Sequence, residues 1–333
     1  MPLVVHPHFH PRRTGVTRHV ETVLPALGRR MEAVTLGYGI SRSLPRIGLR
    51  RLLRRARSGE VVWHAHRNNE LLVGLLLRLF APRLKVLLTR HSTSRPGRYT
   101  RWLARRADLL LALTPEVQRS LGLPSRIVPH GVELADFTPP TDRSEAWRAL
   151  GLPGERGVGV IGRIRAEKGQ GDFVAAIAPL LAQHPEWTPV LVGTVQPGDR
   201  PFAERLRRQL PSLLLPGEQS EIGRWYRGLT LFVHPSHREA YSMALLEAMA
   251  SGCCVVASRL PPMEQVIDHG RTGFLFPPGD VEGLRAILRE LLASPRRIEE
   301  VGRAAAAEAQ ERFGVEHEAG ALIAAYQAAW SAQ

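Results

Sequence analysis

Cysteine is nearly missing from this 333-residue sequence: there are two, Cys253 and Cys254, side by side in an apolar run. Adjacent cysteines on one strand cannot staple distant segments, and no Cys or His spacing suits a metal. A disulfide scaffold and a zinc module are therefore excluded, and a reducing compartment is predicted. Long apolar runs are missing as well. Residues 71–80 are too few to cross a bilayer and include Arg78, and the opening Met-Pro-Leu-Val-Val-His lacks the charged region that precedes a signal peptide's apolar core. The expectation is a cytoplasmic chain with neither leader nor span. Aromatic residues make up 6%, few for a surface that stacks on bases. Lysine is reduced to Lys85 and Lys168 while Arg supplies the other cations, which singles out Lys168.

The composition is otherwise ordinary for a globular chain, 44% hydrophobic and 23% charged, and the length predicts two domains. Net charge is +14, but residues 1–140 carry 24 Lys and Arg against 8 Asp and Glu, a net +16, which leaves −2 for the remainder. A positive N-terminal half favours nucleic acid, an anionic membrane surface or a phosphorylated substrate, and composition does not choose among them. Within it, residues 40–57 place Leu49, Leu52 and Leu53 on one helical face with Arg50, Arg51, Arg54, Arg55 and Arg57 around the rest. That pattern fits a helix lying on an anionic leaflet and equally a surface helix packed on a sheet.

Residues 3–5 read as a first strand, followed by a loop with Arg12, Arg13 and Gly15 and a helix from about 16 to 30, the opening of a nucleotide-binding α/β unit. Gly15 would let a diphosphate or sugar approach the backbone. Two further strand ends, in residues 61–70 and 85–91, carry His64, His66, Arg67, Asn68, Asn69, Arg90 and His91, candidates for one wall of a ligand crevice. A Pro-rich linker at 136–143 closes the first domain, drawn at 1–138. Gly157, Gly159 and Gly162 formally spell G-x-G-x-x-G, yet they overlap the strand instead of following it, and the next strand lacks an acidic residue for a ribose. Arg163 and Lys168, on the loop after that strand, are better placed to clamp a diphosphate. Residues 231–258 read as strand, loop, helix, strand, with Ser242 as N-cap, a helix starting near Met243, and Gly252 past its end. The open helix end is an anion site, and Glu239 in the loop and Glu247 about one turn into the helix add two carboxylates suited to ribose or hexose hydroxyls.

Pro235-Ser236, Glu239, Glu247 and the run Glu-Ala-Met-Ala-Ser-Gly resemble the Glu, seven residues, Glu signature of retaining, nucleotide-sugar-dependent glycosyltransferases of family 4. Residues 61–70, 99–108 and 127–137 resemble the lipopolysaccharide core mannosyltransferases within it. This resemblance implies an α/β GT-B fold: two Rossmann-like domains with an interdomain cleft, an acceptor domain 1–138, a nucleotide-sugar domain 139–315, and a helix 316–333 returning to the first. It matches the Gly-Arg, then Lys-Gly, element to Gly162, Arg163, Lys168 and Gly169. It assigns Glu247 to the ribose, Glu239 to hexose hydroxyls, backbone near Ser242 and Met243 to the phosphates, residues 213–218 to the nucleobase, and His91 to the transferred sugar. Ala240 and Ser242 depart from the family pattern, where Gly is usual. No Asp-x-Asp occurs, so Arg163 and Lys168 are expected to do a metal's work, with no metal and no cofactor. The implied donor is GDP-mannose, the acceptor an anionic glycolipid of the lipopolysaccharide core, the location peripheral on the inner leaflet, and no nucleic acid is expected as partner. The alternatives are a UDP-sugar transferase of the same fold, a nucleotide-sugar epimerase, a phosphorylase (which needs pyridoxal phosphate on one of only two lysines) and a nucleic-acid-binding protein.

Overall fold

The computed structural model describes residues 2–12 and 14–331; Arg13, a predicted phosphate ligand, lies outside them. The short apolar runs form two six-stranded parallel sheets. The first holds β1 (Leu3–Phe9), β2 (Ala33–Tyr38), β3 (Val61–Ala65), β4 (Lys85–Arg90), β5 (Leu109–Ala112) and β6 (Arg126–Ile127), in the order β2-β1-β3-β4-β5-β6. The second holds β7 (Arg156–Ile161), β8 (Trp187–Val192), β9 (Leu214–Gly217), β10 (Leu229–His234), β11 (Cys254–Ser258) and β12 (Phe274–Phe276), in the order β12-β11-β10-β7-β8-β9. Parallel strands need crossover helices, which cover both faces of a sheet, so the central strands read as nearly unbroken apolar runs. The strand order reverses where β1 lies between β2 and β3, and again where β7 lies between β8 and β10. In such sheets the loops leaving the C-terminal strand ends at the reversal form the ligand crevice.

The chain divides into two compact units, Met1–Gly131 together with Gly314–Gln333, and Val132–Phe313. The change of unit falls at 131/132 and 313/314, not at the linker near 138 or at 315. Val132 and Phe137 already pack in the second unit's core beside Trp147, Trp225 and Tyr226. The last helix, Val315–Ser331, buries Val315, Leu322, Ile323 and Tyr326 in the core of the first.

Local capping sets the helix that matters most to the site. Ser242 accepts a hydrogen bond from the Leu245 amide at 3.2 Å and starts the helix Met243–Ala250, and Gly252 follows it at φ 70°. The basic helix begins later than its charge pattern suggested, at Leu49, and runs to Ser58. It packs through Leu52 and Ala56, leaving Leu49 and Arg50, Arg51, Arg54, Arg55 and Arg57 exposed. No helix among the described residues is long and apolar enough to cross a membrane.

Candidate functional site

Two loops leave the second sheet side by side at its reversal point, residues 162–169 after β7 and residues 235–242 after β10. They are locked to one another. The His237 amide donates to the Glu167 carbonyl at 3.1 Å, and the His237 ring meets Asp172 Oδ2 at 2.6 Å. Gly169 sits at φ 70° against the Pro235 carbonyl, where a Cβ would collide. Only glycine allows both the left-handed backbone and this approach. Gly169→Ala is therefore expected to cost about 2 kcal/mol or more of stability, read as a lowered urea midpoint; an unchanged midpoint would show that the two loops can part without cost.

This docking brings Lys168, at the end of the 3-10 turn Ala166–Lys168, to Glu239, with Nζ 2.5 Å from Oε2. His234 Nε2 lies 3.5 Å from the same oxygen. Burial alone would raise the Glu239 pKa, but the nearby His234 and the Lys168 ammonium outweigh it and bring it down to about 2. Glu239 is thus an ionised acceptor across the physiological range. Arg163 is exposed on the neighbouring loop, with its carbonyl held by Gln170 Nε2 at 2.9 Å. Gly162, at φ 150°, donates its amide to the Val192 carbonyl at 2.8 Å, and a Cβ there would meet nothing within 4 Å. The Ser242 side chain is engaged by the Leu245 amide, so of the first-turn N–H groups those of Met243 and Ala244 face the loop without an intrahelical partner. Glu247 is buried to 1% exposure inside the same helix, whereas the Glu239 side chain keeps 14% of its surface.

In the first unit the structure assembles something the sequence did not announce. His91, expected beside a sugar, has both ring nitrogens engaged: Nε2 with His66 Nδ1 at 3.0 Å and Nδ1 with His130 Nε2 at 3.2 Å. The series continues from His66 Nε2 to His6 Nδ1 at 3.0 Å, from His6 Nε2 to the Tyr326 hydroxyl at 3.2 Å, and from Tyr326 to His64 Nδ1 at 2.7 Å. It ends where His64 Nε2 meets Thr89 Oγ1 at 2.6 Å, and at the other side where His130 Nδ1 meets Glu318 Oε1 at 2.9 Å. Burial holds the imidazoles neutral, His6 and His130 down at about 3 and His64, His66 and His91 well below their usual value. Burial also pushes the Glu318 carboxyl well up, against the pull of the Gly131 amide. Each neutral imidazole is one donor and one acceptor, so the series satisfies itself.

His64 is thereby corrected from a crevice residue to a core residue. It lies inside β3, on the face that the helix Val315–Ser331 covers with Tyr326. Arg67 is likewise occupied, bridging Glu70 Oε1 at 2.8 Å and Thr14 Oγ1 at 2.9 Å. Asn68 donates to Thr100 Oγ1 and Asn69 to the Phe9 carbonyl, while Arg90 donates to the Ser94 carbonyl. Gly15 opens the helix Gly15–Gly28, and a Cβ there would meet nothing within 4 Å. His6, His19, His130, His234, Glu318 and Tyr326 were not singled out from the sequence. The available signal was a paired one: His6 and His8, and His64 and His66, alternate on neighbouring strands and so share a face.

Residues 155–294, within the second unit, match the family model described as glycosyl transferases group 1. Over 97% of its length the chain is 38% identical to the lipopolysaccharide core biosynthesis mannosyltransferase LpcC of Rhizobium leguminosarum bv. viciae, covering 95% of that protein. The chain belongs to the group 1 glycosyltransferases. It is also 31% identical, over 97% of both chains, to the lipopolysaccharide core biosynthesis mannosyltransferase LpsB of Rhizobium meliloti. The crystal structure of Anabaena HepE in complex with UDP and glucose superposes with a TM-score of 0.82 at 20% identity, over 98% of this chain and 100% of that one. This likeness concerns the fold, which is GT-B with two Rossmann-like domains. In this glycosyltransferase the expected Arg163, Lys168, Glu239 and Ser242 lie on the two loops at the second sheet's reversal point, and Met243 opens the helix that follows. The expected His91 and Gly15 belong to the first unit.

Proposed function

We propose that this glycosyltransferase moves a mannosyl residue from GDP-mannose, with retention of configuration and without a catalytic metal, onto an anionic acceptor of the lipopolysaccharide core. The reaction class rests on one observation above the others, the Lys168 to Glu239 pair at the reversal point of the second sheet. The choice of mannose rests on the two relatives similar over nearly their whole length. In this reading an arriving diphosphate competes for Lys168, joins Arg163 and the Met243 and Ala244 amides, and frees the ionised Glu239 to accept hydrogen bonds from hexose hydroxyls. Glu247 takes the ribose. The two cations neutralise the nucleotide as the glycosidic bond breaks, the task a divalent ion performs elsewhere. The leaving phosphate assists the incoming hydroxyl, which is then delivered on the face the nucleotide leaves. His91 has both ring nitrogens hydrogen-bonded within the first unit and is not read as a base.

Thermal midpoints with excess GDP, UDP, ADP and NADH test the donor site, since a ligand at about 100 times its dissociation constant adds roughly 2.7 kcal/mol. GDP alone is expected to stabilise. UDP alone would keep the enzyme class and discard mannose, and no shift with any of them would remove the nucleotide site. Release of free sugar without acceptor would favour the epimerase alternative.

The first unit is read as the membrane-facing one. Arg50, Arg51, Arg54 and Arg55 are exposed, Leu79 and Phe80 are 74% and 63% exposed, and Arg57 Nε donates to the Phe80 carbonyl at 3.2 Å, which joins the basic helix to this apolar edge. Each cation near an anionic surface contributes about 1 kcal/mol. Reversing Arg50, Arg51, Arg54 and Arg55 to Glu is expected to weaken binding to phosphatidylglycerol vesicles at least about 100-fold. Unchanged cosedimentation would sink the membrane assignment and leave the transfer chemistry standing.

A further inference from the structure

Within the first unit, one group of side chains is not accounted for by the histidine series. His19 is 2% exposed, and its Nδ1 is buried with no hydrogen-bond partner among the described residues. It lies 3.5 Å from Glu318 Oε1, the oxygen that His130 Nδ1 meets at 2.9 Å. If Nδ1 carries a proton, it is a donor left unsatisfied in the interior. If it does not, its lone pair has no donor in hydrogen-bond geometry. Either state is unfavourable, and a cation between the three atoms removes the difficulty.

We propose that His19, His130 and Glu318 form a binding site for one divalent transition-metal ion of the zinc type, with the two Nδ1 atoms and Oε1 as ligands. One ligand atom from each of the three residues lies within 4.8 Å of the other two, and all three residues are buried. Bonds of about 2.0–2.2 Å place neighbouring ligand atoms roughly 3 to 3.5 Å apart, which the 2.9 and 3.5 Å separations already meet. Two imidazoles and a carboxylate suit zinc, iron(II) or cobalt(II) and do not suit calcium or magnesium. The supports behind the ligands are also present: His130 Nε2 pairs with His91 Nδ1 at 3.2 Å, and Glu318 Oε2 accepts from the Gly131 amide at 2.8 Å. The His19 and His130 rings stack 3.7 Å apart at 29°, so the ion opens this stack to lie in both ring planes. The neighbouring trio His6, His64 and His66 is less suited, because none of its ring nitrogens lacks a hydrogen-bond partner, whereas His19 Nδ1 does.

His19 lies on the helix Gly15–Gly28, His130 follows β6, and Glu318 belongs to the helix Val315–Ser331. A metal here would clasp the last helix to the first unit across 188 residues of sequence and would take no part in the transfer chemistry of the second unit. Cobalt(II) is the probe. The full-length protein, incubated with CoCl2 and desalted, is expected to keep about one equivalent with the visible absorption of a four- or five-coordinate ion, and Glu318→Gln and His19→Leu are each expected to weaken retention by at least about 10-fold. Retention of less than a tenth of an equivalent by the unaltered protein, or equal retention by both folded variants, would overturn the site; equal retention would place the ion on surface histidines such as His10 or His237. Should the variants fail to fold, the unaltered protein decides: after chelation, one equivalent of zinc must raise its thermal midpoint, and an unmoved midpoint is equally fatal.

Discussion

Lys168→Ala is expected to lower kcat/KM by about 10²- to 10³-fold, the usual effect of removing one group that stabilises charge developing in a transition state. Three features of the site set this size. Lys168 is held on a turn whose next residue, Gly169, docks against Pro235, so the ammonium is in place before any ligand arrives. Its present partner, Glu239, is ionised and only 14% exposed in its side chain, and a diphosphate of higher charge competes for the same ammonium. Arg163 is the only other cation assigned to the nucleotide in this reading, so little can substitute. Loss of Lys168 also leaves Glu239 with His234 alone, at 3.5 Å, and a stability loss of about 1–3 kcal/mol is expected alongside. Nucleotide binding separates the two effects: the variant should be folded and should lose the GDP-induced rise in thermal midpoint. Lys168→Arg keeps the charge with a different geometry and should recover only part of the activity. An alanine variant within threefold of the unaltered enzyme would remove Lys168 from the chemistry.

Acid is expected to destabilise this protein before its ordinary carboxylates are titrated, although Glu318, whose carboxyl burial pushes well up, works in the opposite direction. His6 has an ordinary pKa of 6.5 in the unfolded chain and about 3 in the folded one, where burial keeps it neutral. Below pH 6.5 the unfolded state therefore binds a proton that the folded state refuses, and stability falls as the pH drops until about 3. At pH 5 this single histidine costs about 2 kcal/mol. His64 and His66, depressed by burial first and by neighbouring histidines second, add to the loss in the same direction. A domain holds only about 5–15 kcal/mol in all, so the urea midpoint should fall steeply between pH 6.5 and 5. The Glu239 pair works in a lower window, between its ordinary 4.5 and about 2, and cannot account for a loss that begins near neutrality. A midpoint that stays level down to pH 5 would mean that the histidine series is open to water. Replacing His64 by Gln should soften the pH dependence even where it lowers stability at neutral pH.

The two loops at the second sheet's reversal point were legible in the sequence because their determinants are local. A strand is a short apolar run, Ser242 and Gly252 bracket a helix by their own backbone preferences, and Arg163, Lys168, Glu239 and Glu247 are placed by counting from these landmarks. The two-unit organisation followed from length and from the repeat of strand, loop and helix. The extent of each unit did not, since Val132 and Phe137 are assigned by what they pack against and not by the prolines after them. The pairing of Lys168 with Glu239, 71 residues apart, needed β7 and β10 to be neighbours, a matter of strand order that no local pattern encodes. The histidine series depended on tertiary structure most of all. Its members come from β1, β3, the strand ends near residues 91 and 130, and a helix nearly 200 residues further on, and no local pattern says that they meet. Parallel pairing puts alternate side chains of neighbouring strands on one face, and the helix Val315–Ser331 closes over that face. That closure turned separate imidazoles into a buried network, because groups shut away from water must satisfy their hydrogen bonds with one another.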